Sequence, residues 1–105
     1  MARTVVFVLP IKTKRAIVDS CWSFNSSNTI SNFIETKLVD FLNLDFEEEY
    51  LDIKKYKNEY TEMNVVFTNK KIIEIDIRTK LEKEKFVKVV SNLLRDDEVE
   101  VFTPD

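Results

Sequence analysis

The stretch EYTEMNVVFTNKKIIEIDIR, residues 59–78, decides the fold. Its second half alternates. Ile73, Ile75 and Ile77 fall on one side of an extended chain, and Glu74, Asp76 and Arg78 on the other. Its first half brings Met63, Val65 and Phe67 together in the same way. Asn69-Lys70 separates the halves, and Asn replaces Gly well in a tight turn because it tolerates left-handed backbone. Upstream, residues 50–56 hold a weaker extended pattern, with Leu51 and Ile53 followed by Lys55; Lys57-Asn58 divides it from the next segment. Together these read as an antiparallel meander with one covered face and one wetter face.

Downstream, Thr79-x-x-Glu82 has the form of a capping box, with Thr79 as N-cap. Phe86, Val89, Val90, Leu93 and Leu94 follow at helical spacing, with Lys83, Lys85 and Lys88 outside. Asp96-Asp97 ends that helix, and residues 98–102 alternate Val99 and Val101 against Glu98 and Glu100, an edge-type strand. At the other end, TVVFVL (residues 4–9) is a continuous β-branched and aromatic run, which suits a central strand buried on both faces, and Pro10 stops it. In residues 12–28, Ile17, Cys21 and Phe24 suit a short helix, while pairing back onto the first strand is the alternative. Residues 30–44 predict a helix with an apolar stripe of Ile30, Phe33, Ile34, Leu38, Phe41 and Leu42, capped by Thr29 or Asn32. The acidic run at residues 45–49 stands just past that helix, where the helix dipole disfavours negative charge.

The expectation is one α+β domain spanning residues 1–105. It has a mostly antiparallel sheet of four to five strands, with two main helices on one face. Without the weak second strand, the order β-α-β-β-α-β resembles the ferredoxin-like arrangement.

Composition excludes many activities. The chain of 105 residues has no Gly and no His, and one Cys. Without Gly there is no phosphate-binding loop, dinucleotide fingerprint or nucleophile elbow of the usual pattern. Without His there is no Ser-His or Cys-His couple. A single Cys forms neither a thiolate metal cluster nor an intramolecular disulfide. These features predict a protein that is not an enzyme, needs no cofactor and works in a reducing cytoplasm. The apolar run at residues 5–9 is too short for a signal sequence or a membrane span.

Net charge is −3 but strongly segregated. Residues 35–52 carry seven acids and one base, residues 96–105 five acids and no base, and residues 53–95 eleven bases and six acids. The first acidic block is Asp45, Glu47, Glu48, Glu49 and Asp52, interleaved with Phe46 and Tyr50. The second includes Asp96, Asp97, Glu98 and Glu100. The plain reading of each is a solvated loop or a charge-protected strand edge. The functional reading is an anionic surface that mimics phosphates and docks on a basic partner. Trp22, beside a polar loop, is a candidate anchor, against closing one end of the core. Glu74 and Asp76 are carboxylates of the kind that hold magnesium in nucleases, but an amphipathic strand places charges this way without any chemistry. Cys21 reads as a small buried hydrophobe. Lys12, Lys14, Arg15, Lys54, Lys55 and Lys57 read as bases pairing with nearby acids, since the acidic balance argues against a direct nucleic-acid binder.

The leading functional expectation is a small acidic immunity protein that neutralises a toxin, most concretely a basic nuclease, by covering its active-site surface. Its contacts would be Asp45, Glu47, Glu48, Glu49, Tyr50, Asp52, Asp96, Asp97, Glu98, Glu100 and Trp22. A phage or mobile-element inhibitor of a host nuclease is the alternative. A regulatory domain that binds a small ligand or oligomerises is the alternative of another class. No membrane partner is expected, and the free protein is a monomer or a homodimer.

Overall fold

The computed structural model describes residues 3–104. Ten elements follow in chain order. They are β1 (Thr4–Pro10), β2 (Lys14–Val18), β3 (Cys21–Asn25), α1 (Asn32–Leu42), β4 (Asp45–Tyr50), β5 (Ile53–Lys57), β6 (Thr61–Thr68), β7 (Lys71–Thr79), α2 (Lys83–Leu93) and β8 (Val99–Phe102). Six strands form one antiparallel sheet in the order β4-β5-β6-β7-β1-β8, and β2-β3 is a separate two-stranded sheet. The main sheet is thus wider than the four to five strands expected. The α+β class and the two helices stand as read.

Strand pairing explains the core. Val6, Ile77 and Met63 form one row across β1, β7 and β6, and Val8, Ile75 and Val65 the next. All six are buried, and Ile34 and Leu38 of α1 and Phe86 and Val90 of α2 belong to the same cluster. At about 25 cal/mol per Å² of apolar area removed from water, such a cluster is the main stabilising contribution. A bulge opposite Val66 and Phe67 breaks the strict alternation of β7, so Ile72 takes the buried position and Ile73 stays exposed.

Several local expectations are corrected. Residues 14–25 form neither a helix nor a partner for β1 but a β-hairpin of their own. Asp19 and Ser20 turn it with φ of 51° and 66°, the pair of positive angles a tight two-residue hairpin turn requires. Cys21 is consequently exposed. The acidic run is not a loop but β4. Ser31, rather than Thr29 or Asn32, caps α1, its hydroxyl accepting from the Phe33 N–H. Within the α1 stripe, Ile30, Ile34 and Leu38 are buried but Phe33 and Phe41 face outward. Thr79 belongs to β7 and Glu82 is the N-cap of α2 without a side-chain bond; the Thr79 hydroxyl instead meets that of Thr61 at 3.0 Å and accepts from the Leu81 N–H.

With no Gly, the chain meets its turns with other residues. Asn69 and Lys70 take φ of 52° and 66° between β6 and β7. Asn43 closes α1 in the left-handed region, and Leu51 has φ of 54° between β4 and β5. Asn58 works differently: its side-chain oxygen accepts from the Tyr60 and Thr61 N–H groups. No helix among the described residues is long and apolar enough to cross a membrane.

Candidate partner-binding surface

The face of the sheet away from the core cluster decides where the charged residues go. One row crosses all six strands: Phe102, Phe7, Asp76, Asn64, Lys55 and Glu48. The adjacent row runs Val5, Arg78, Glu62, Lys57 and Asp45, so bases and acids alternate from strand to strand. Such opposite-charge neighbours stabilise a sheet modestly. The hairpin β2-β3 covers the β1–β8 end of this face. The Phe24 ring lies 4.8 Å from Phe7, Trp22 meets Phe102 edge-on at 4.9 Å, and Arg15 sits 4.3 Å over the Phe102 ring while pairing with Glu100 at 3.2 Å.

The first acidic block is β4 itself, the outermost strand, with all six residues exposed. Its acids are held from behind by β5. Glu47 pairs with Lys57 at 3.1 Å and Glu48 with Lys55 at 3.8 Å, and the Phe46 ring stands edge-on to Tyr56 at 5.7 Å. The sequence held a usable signal. Acids at 45–49 and lysines at 54, 55 and 57 mirror each other about Leu51-Asp52, the pattern of a charge-matched hairpin. Glu is uncommon in strands, which hid it.

The second block lies at the opposite side of the sheet. Asp97 pairs with Lys37 of α1 at 2.8 Å, Asp96 with Arg95 at 3.6 Å, and Glu100 of β8 with Arg15 while also accepting from the Lys12 backbone N–H. Glu98 is exposed. β4 and β8 are separated by five strand spacings, about 24 Å at the usual spacing. Asp45, Glu47, Glu48, Glu49, Tyr50 and Asp52 therefore cluster together. Asp96, Asp97, Glu98, Glu100 and Trp22 gather at the other edge. Of the six bases grouped in the sequence, Lys55 and Lys57 pair with acids of the adjacent strand, while Arg15 and Lys54 pair with the distant Glu100 and Glu35.

Two acids escaped the sequence reading of a fully solvated face. Glu35 of α1 is only 8% exposed; its carboxylate accepts from the Tyr56 hydroxyl and pairs with Lys54 at 3.5 Å. Burial, then that contact, raises the proton affinity of the Tyr56 phenol. Asp76 is mostly buried between Phe7 and Asn64, and its Oδ1 has no hydrogen-bond partner among the described residues. Burial, then a hydrogen bond with Glu74 and the negative charge of Glu74, pushes the Asp76 carboxyl up to about 8, against a smaller lowering by Arg78. Among the described residues no group of three or more acids or thiols is placed to hold a metal ion.

Comparison with protein-family models, with curated proteins and with solved structures found no significant match to this chain. The architecture is that of a two-layer α+β domain with an added hairpin, and its most exposed chemistry is the acidic strand β4.

Proposed function

We propose that this protein is a non-catalytic inhibitor that binds a basic protein, most concretely an immunity protein that covers the active-site surface of a nuclease toxin. The observation that supports it is β4: four acids on six consecutive exposed residues at a sheet edge, with Phe46 and Tyr50 among them. A nuclease is basic where it holds phosphates, so an anionic surface gains both on-rate and specificity against it. The contact set is narrower than the two blocks together. Asp45, Glu47, Glu48, Glu49, Tyr50 and Asp52 form the primary surface. Asp96, Asp97, Glu98, Glu100 and Trp22 form a separate anionic rim on the same partner. The single cysteine is a free surface thiol, which supports a reducing cytoplasm as the place of action. The order β8-β1-β7-β6, with α1 after β1 and α2 after β7, supports reading a ferredoxin-like core that β5 and β4 extend. On that reading the acidic edge belongs to the extension.

The test is binding to a basic nuclease encoded beside the gene, at two salt concentrations. Tight 1:1 binding that weakens with salt, and at least tenfold more with Glu47, Glu48 and Glu49 all changed to Lys, is the expected result. Binding indifferent to both changes removes β4 from the interface. Magnesium-dependent cleavage of nucleic acid abolished by Glu74→Gln overturns the non-catalytic reading.

A further inference from the structure

We propose that the partner engages β4 by strand addition, laying an extended segment with basic residues along its free edge as a seventh strand. This rests on the reading of β4 as the contact surface and adds the mode of contact. Three observations converge on it. First, among the described residues β4 is bonded on one side only, so its outer row of backbone N–H and C=O groups is open, which is the template that strand addition uses. Second, the residues along and just past this edge are unusually apolar for a surface: Leu51 is 79% exposed, Tyr50 68% and Phe46 59%. An edge built only to repel other strands carries charge without such a patch. Third, the β4-β5 hairpin keeps an excess of negative charge that a basic segment complements: five acids in residues 45–52 stand against three lysines in residues 54–57, with Asp45 and Glu48 on one face and Glu49 on the other.

An incoming strand with alternating residues would set bases against Asp45 and Glu48 on one face, and an apolar group beside Phe46 with a further base beside Glu49 on the other. The bulge between Phe46 and Glu48 bends this edge, so the regular part of the new ladder lies along Glu48–Tyr50. The other edge offers no equivalent. β8 is four residues long and half-buried, and Trp22, Phe24 and Arg15 close over Phe102.

The test uses the full chain and two synthetic peptides of equal charge, acetyl-(Lys-Val)4-amide and acetyl-(Lys-Pro)4-amide. The second lacks an N–H at every other position and avoids the β ladder. Binding of the Lys-Val peptide, slowed amide exchange within residues 45–50, and at least tenfold weaker binding of the Lys-Pro peptide are the expected results. Equal affinity for the two peptides overturns strand addition and leaves the acidic-surface reading standing. Absence of binding by both, or binding unchanged when Glu47, Glu48 and Glu49 are all Gln, overturns both readings. Slowed exchange on β4 without peptide, rising with protein concentration, assigns the edge to a second copy of the chain and overturns the proposal.

Discussion

Replacing Asp76 with Asn should stabilise the protein by an amount that grows with pH. Asp76 is flanked by Phe7 on β1 and Asn64 on β6, with Glu74 and Arg78 beside it on β7. Glu62, opposite Arg78, is held by Arg3 at 3.2 Å. Folding raises the Asp76 carboxyl from 3.8 to about 8, chiefly by burial. Below about pH 4 the carboxyl is protonated whether the chain is folded or not, and it costs nothing. Between 4 and 8 the unfolded chain ionises while the folded one does not, so each pH unit removes up to ~1.4 kcal/mol of stability. Above 8 both states are ionised and the loss stays constant. The ceiling is about 6 kcal/mol, and rotation of the carboxylate toward water reduces it, so a difference of at least about 2 kcal/mol between pH 5 and pH 9 is expected. Asn keeps the shape, carries no charge and donates to Glu74. The assay is urea unfolding of both proteins at pH 5, 7 and 9, with the carboxyl ¹³C shift of Asp76 titrated alongside. A stability difference that stays flat from pH 5 to 9, with an Asp76 titration near 4, would refute the reasoning.

Three further outcomes follow from the same geometry. Leu51→Gly should raise stability by about 1 kcal/mol in urea unfolding, because a left-handed φ costs an ordinary residue about 1–2 kcal/mol and this highly exposed side chain packs on little. Phe24→Ala should loosen the β2-β3 hairpin from the sheet, lowering stability by about 1–3 kcal/mol and shifting Trp22 fluorescence toward the red, since Phe24 is the ring that meets both Phe7 and Phe102. Leu38→Ala should cost about 2–5 kcal/mol and Phe33→Ala under about 1 kcal/mol, although both stand in the same sequence stripe; equal losses would put Phe33 in the core.

The readable parts of the fold are those whose own pattern contains the answer. The alternation of β7, the Asn69-Lys70 turn and the continuous apolar run of β1 each name their element, because a residue buried by its own periodicity needs no distant partner to explain it. The helices were readable in position but not in facing. Phe33 and Phe41 fit the stripe, yet the sheet beneath α1 covers only an arc wide enough for Ile34, Leu38 and their flanks. Residues 14–25 misled for a related reason. Ile17, Cys21 and Phe24 match a helical spacing, but the Asp19-Ser20 turn and the aromatic row of Phe7 and Phe102 favour a hairpin.

By itself the sequence determined an α+β domain, a central meander, a chain without Gly or His, and acid gathered into two blocks. Only the tertiary structure decided that one block is a strand on the sheet's outer edge and the other lies five strands away. It also decided that Asp76 is shielded while Arg78, on the same face of β7, stays exposed. The physical reason is the range of the interactions. Side-chain periodicity is local and written in the chain. Strand order, the pairing of Glu47 and Glu48 with Lys57 and Lys55, and the desolvation of a single carboxyl arise where distant segments meet.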